Sequence, residues 1–171
     1  MRHRWLAALP VGALCFGIGV ATAHQVTQGD LALAHPFVML DPRCGPEVTR
    51  AHVMLIINSG TQADRLLAAE MDQAGKGKLV RVVTADGKAR REVLADGIEI
   101  PAKGQIALMP PDLALEFPKS RVALVEGGAT KGSLTFQRTG KVAVTFMVDA
   151  AHVGQAESGC GKSEPKPAHQ H

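Results

Sequence analysis

The chain has 171 residues, a formal net charge of +3 and 46 % apolar residues. That is enough to bury one sizeable core, and the low net charge excludes nucleic acid as an expected partner. Three cysteines and no long charged run exclude a disulfide-dense mini-domain and a polybasic tail.

Arg2 and Arg4 precede an apolar run from Leu6 to Val20, and Ala21-Thr22-Ala23 forms an A-x-A cleavage signal. This is the layout of a secretory signal peptide. The run is shorter than the roughly 20 residues that span a bilayer. Residues 1–23 are therefore expected to be removed, leaving His24 as the new N-terminus and a periplasmic or secreted protein without a membrane span. Cys15 follows Leu14, where a lipoprotein signal needs a small residue. Cys44 and Cys160 remain. An even pair in an exported chain reads most simply as a disulfide, worth at most about 4–5 kcal/mol by loop closure. Two free thiols, one or both on a metal, are the rival reading.

Asp30–His35 alternates like a half-buried strand. His35-Pro36 is expected to break it, with Phe37–Leu40 a short continuation. Asp41–Glu47 is a turn-rich loop. Arg50–Ile57 is the strongest strand pattern, rich in β-branched residues and closed by Asn58-Ser59-Gly60. Asp64–Ala69 fits a strand or one helical turn. Leu79–Thr84 and Lys88–Leu94 form a hairpin across Asp86-Gly87. Gly97–Ile100, Gln105–Met109 and Leu113–Phe117 are three short strands separated by Pro and Gly. Ser133–Arg138 and Lys141–Val148 form a last hairpin across Thr139-Gly140. Many short strands at regular spacing indicate an all-β sandwich spanning 24–153. Residues 154–171 are polar and rich in Gly, Lys and Pro, and read as a flexible His-containing tail.

Gly29-Asp30-Leu31 followed by His35-Pro36-Phe37 is one of several pieces that share an order and spacing with a known family. The others are Ala51–Gly60 with Ala63-Asp64-Arg65-Leu66, then Asp86-Gly87 with Gly97–Pro101, then the Gly132–Val148 hairpin. Together, over roughly 28–148, they resemble the PCuAC-type periplasmic copper chaperones. The resemblance implies a cupredoxin-like Greek-key β-sandwich. It also implies copper as cargo and a copper-accepting partner, such as a cytochrome oxidase subunit or assembly factor. The family holds copper(I) with two His and two Met, a soft set suited to a soft ion. An ungapped alignment puts these ligands near Val80, near Ala89 or Arg91, and near Ala114 and Glu116. None of these residues can replace them, although Glu116 could bind a harder metal. Leu79–Phe117 contains no His or Cys, and Met109 is its only soft donor.

Other donors must then be weighed. His169-Gln170-His171 can bind copper(II) or zinc(II) loosely, or is an ordinary polar tail. His24, once freed by cleavage, offers an amine and a ring nitrogen to one copper(II). A second His, His35 or His169, would complete that site. His35, before Pro36, otherwise reads as serving the fold. His52 and Met54 alternate on one strand and should share a face, as ligands or as packing. No hydrolase, zinc-protease, C-x-x-C or phosphate-loop motif is present, so no enzyme is indicated. Two functions follow. One is an exported copper-handling protein with relocated ligands His24, His169, His171, His52 and Met54. The other is a metal-free binding or assembly module on the same sandwich.

Overall fold

A computed structural model describes residues 24–40, 48–85, 88–109 and 112–150. The leader 1–23, Cys44, Cys160, His152, His169, His171 and the tail 154–171 lie outside the described residues. So do both sides of the expected disulfide. Among the described residues the protein is all-β, with no helix, and no helix is long and apolar enough to cross a membrane.

Twelve strands follow one another: β1 (Gln25–Gln28), β2 (Leu31–Leu40), β3 (Val48–Asn58), β4 (Asp64–Met71), β5 (Gly75–Lys76) and β6 (Lys78–Ala85), then β7 (Lys88–Val93), β8 (Ile98–Ile100), β9 (Gly104–Leu108), β10 (Leu113–Pro118), β11 (Ala129–Phe136) and β12 (Gly140–Ala150). They pair in the order β5-β4-β11-β12-β2-β3-β10-β6-β7, with β1 on β2, β8 on β4 and β9 on β3. The sheet curls so that β4 and β5 pack against β10 and β6. Its inner face is one apolar cluster that includes Leu33, Ile56, Leu66, Leu115, Phe117 and Phe146. Phe117 and Phe146 meet edge to face, with ring centroids 6.3 Å apart, the arrangement that aromatic quadrupoles favour.

The expected break at His35-Pro36 does not occur. β2 runs through it to Leu40 and keeps a constant register against β3, from Leu31 opposite Asn58 to Val38 opposite Ala51. Instead of ending, the strand turns over. Leu31 and Leu33 are buried before His35, and Val38 after it, so inward residues pass from odd to even positions. His35 sits at φ 47°, the left-handed region that makes this possible. β3 turns over in step, with Ala51 and Val53 inward, then Ile56 and Asn58. Its pairing with β9 shifts register between Val53 and Ile56. Pro36 is tolerated because β2 changes its outer neighbour there. The first half pairs with β1 and the second half pairs in parallel with β12, Met147 opposite Phe37. Asp64–Ala69, open between strand and helical turn, is a strand. β1 and β5 had no expectation, because short segments with exposed side chains carry little apolar alternation.

Asp64 fastens the opening of β4 to the β11–β12 turn. Its carboxylate accepts hydrogen bonds from the backbone of Arg65, Arg138 and Thr139 and from the Thr139 hydroxyl, at 2.7–3.0 Å. Burial alone would raise its pKa, but these four donors outweigh burial and hold it below the usual carboxylate range. Gly132 lets β11 lie close between its neighbours, since a Cβ there would strike the Glu70 carbonyl and the Phe146 ring. His52 is 2 % exposed. Burial, with the charge of Arg50 adding to it, pushes its pKa down to about 4, against opposing hydrogen bonds to the backbone at Leu113 and Leu108.

Two outcomes are expected. Asp64→Ala strands three backbone donors and one hydroxyl and lowers stability by about 3 kcal/mol in urea unfolding. His52 binds its proton more readily when unfolded, so stability is complete above pH 6.5 and falls as pH drops from 6.5 towards 4. The fall is about 3 kcal/mol for this group, and His52→Leu removes that component from a stability-against-pH curve.

Candidate metal centre

The positions aligned with the family's copper ligands do converge. Val80 lies opposite Ala114 in the β6–β10 ladder, and Glu116 lies opposite Arg50 in the β10–β3 ladder. What fills the place is an ion-pair cluster. Arg50 Nε and Nη2 donate to Glu116 Oε1 at 2.8 and 2.6 Å, and Arg91 Nε lies 3.5 Å from the same oxygen. Arg50 is nearly buried and Glu116 mostly so. A charge pair removed from water needs its partner, because either ion alone would be left poorly solvated. Glu116 is thus committed to arginine, and two cations stand where a copper ion would need soft donors. The residues present do not fit the family's copper(I) site, and Glu116 is not available to a harder metal while it is paired.

His52 and Met54 differ in surroundings. His52 is buried with its Nδ1 lacking a hydrogen-bond partner, and its ring lies 5.4 Å from that of Phe37. Met54 is 50 % exposed. The register shift between Val53 and Ile56 falls at Met54, so the simple alternation that would put both on one face does not run through this stretch. A nitrogen on a buried ring, with no thioether shown beside it, is a packed core group rather than an open ligand.

His24 and His35 are brought together. Gln25 opposes Ala34 in the β1–β2 ladder, and the next step is closed by the His35 N–H donating to the His24 carbonyl at 2.9 Å. His24 is exposed. The His35 ring lies 5.2 Å from the ring of Phe37, and its Nε2 is 3.1 Å from Asp149 Oδ2. Asp149 carried no sequence signal. It reaches His35 only because β12 runs parallel to β2. Among the described residues no three His, Cys, Asp or Glu side chains are already gathered as a metal group. An open trough beside Glu70 and Lys141, lined also by Ser133 and Asp72, contains no His or Cys.

The LpqE-like family model matches residues 31–148. No curated protein matches this chain. Among solved structures, the copper-bound PCuAC domain from PmoF2 is similar at 20 % identity, with a TM-score of 0.60, covering 75 % of this chain and 99 % of that one. The apo PCuAC domain from PmoF1 is similar at 20 % identity and a TM-score of 0.61, over 75 % of this chain and all of that one. Apo-DR1885 from Deinococcus radiodurans is similar at 19 % identity and a TM-score of 0.53, over 88 % and 97 %. At this identity the likeness to the solved structures carries the fold, and it bears out the resemblance drawn from the strand order. The chain belongs to the LpqE-like family and has the β-sandwich fold of PCuAC domains.

Proposed function

We propose that this chain is an exported, chaperone-like copper-handling protein whose ligands have moved to the ends of the domain. His24 serves at the N-terminus, with His169 and His171 in the C-terminal segment. The supporting observation is topological. β1 and β12 flank the two halves of one strand, β2. His24 therefore lies level with His35, and Ala150 level with Leu40, both beside β2. The fold's usual ligand place is meanwhile filled by Val80, Ala114 and the Arg50–Glu116–Arg91 cluster.

The role is carriage rather than catalysis. Nitrogen donors on chain ends form few bonds to the ion and let an acceptor replace them one at a time. The acceptor is a copper-receiving protein, of which a cytochrome oxidase subunit or assembly factor is the example that the fold's relatives suggest. One of those structural relatives is a copper-bound PCuAC domain, which supports copper as the cargo. Removal of residues 1–23 on export is part of the reading, since it frees His24. The filled ligand place also favours a second reading, a metal-free binding or assembly module that keeps the sandwich.

Copper titration of the chain beginning at His24 separates them. The copper-handling reading predicts saturable binding of copper(II), fewer copper ions per chain once residues 160–171 are removed, and weak binding of copper(I). No saturable binding in either oxidation state would leave the metal-free module.

A further inference from the structure

We infer that the processed chain holds one copper(II) ion at a site built from the His24 α-amine, the His24 ring and Nδ1 of His35, with Asp149 as the positioning carboxylate. This rests on the copper-handling reading and names the donors of its tighter site.

Two observations support it. The first is register. His24 and His35 adjoin at the open end of the β1–β2 ladder, where the His35 N–H donates to the His24 carbonyl at 2.9 Å. Backbones paired in this way bring their Cα atoms to about 5.5 Å, so both residues lie within reach of one ion.

The second is the His35 ring itself. Its Nε2 is engaged by Asp149 Oδ2 at 3.1 Å. A carboxylate only accepts, so Nε2 carries a proton, and in the neutral imidazole Nδ1 keeps its lone pair. Metal-binding histidines characteristically donate the remote ring N–H to a carboxylate, which fixes the tautomer and strengthens the ligand. Nδ1 of His35 has no hydrogen-bond partner among the described residues, and the His35 side chain is 26 % exposed, open enough for an ion to arrive.

The site is incomplete until export. In the precursor the nitrogen of His24 is an amide and a poor donor, and two imidazoles alone do not make a tight shell. Cleavage after Ala23 converts that nitrogen to an amine, which forms a chelate ring with the ring nitrogen of the same residue. Three nitrogen donors and open positions suit copper(II) over copper(I). Loading is thereby confined to the exported chain.

The test uses full-length processed protein, residues 24–171, and copper(II) set against a chelator of known affinity. Five forms are compared: the free His24 amine, the same chain with one Gly added before His24, His35→Asn, Asp149→Asn, and a chain ending before Cys160. Asparagine tolerates the left-handed backbone, and thermal unfolding confirms that each form is folded. The Gly extension and His35→Asn are each expected to weaken the tight equivalent by about 100-fold or more. Asp149→Asn should weaken it by about 10- to 100-fold and alter the electron paramagnetic resonance signal. Removing the tail should leave the tight equivalent within a few-fold. Unchanged affinity in the Gly-extended chain overturns the site. A tight equivalent that vanishes with the tail also overturns it, while leaving the copper-handling reading intact. Absence of copper binding in all five forms overturns both.

Discussion

The β2–β3 pair can serve the whole sandwich only if both strands reverse their faces at the same level. Side chains alternate along a strand, so a reversal in one strand alone would drive its apolar set out of the core. Here β2 reverses through His35 at φ 47°, and β3 reverses across Met54 and Leu55, where its ladder with β9 shifts. The matched reversal keeps Leu31, Leu33 and Val38 on the same inner face as Val53 and Ile56. It also frees the outer edge of β2 to take two partners, β1 first and then β12. The placement of His24 beside His35 and the contact of the His35 ring with Asp149 both follow from that one accommodation.

The same framework explains why a shared fold need not mean a shared site. Val80, Ala114, Glu116 and Arg91 stand on the β6, β10 and β7 ladders where soft ligands would be required. A buried arginine–glutamate pair is self-sufficient there, because each ion satisfies the other and neither seeks a metal. The opposite edge has the reverse character. It presents the His24 and His35 imidazoles and the Asp149 carboxylate, which are borderline and hard donors. The two edges therefore differ in kind: the arginine–glutamate cluster offers copper no soft donor, whereas the nitrogen donors beside β1 and β2 are of a type that suits copper(II).

Most of the strand pattern was legible, because β-branched runs closed by Asn-Ser-Gly, Pro-Ala-Lys-Gly and Thr-Gly carry strong local signals. His35-Pro36 misled, since proline ordinarily ends a strand. Only tertiary pairing shows that no ladder hydrogen bond was lost there, the outer partner changing at that point. The donors of the candidate site were half legible. The chemistry of a freed His24 can be read from the cleavage signal, and His35 was one of its two open partners. Asp149 could not be found, being 114 positions from His35 and tied to it only through the parallel β2–β12 ladder. His52-x-Met54 shows the converse case. A spacing that suggests two ligands on one face spans the bulge, and leaves one residue buried and the other exposed.

The most direct test of where copper sits is paramagnetic broadening in the amide spectrum of isotopically labelled protein beginning at His24, with sub-stoichiometric copper(II). The account predicts that Gln25, Ala34, His35 and Asp149 lose intensity first, while Val80, Arg91, Ala114 and Glu116 stay sharp. Broadening centred on Val80 and Ala114, with the β1–β2 edge unaffected, would contradict it.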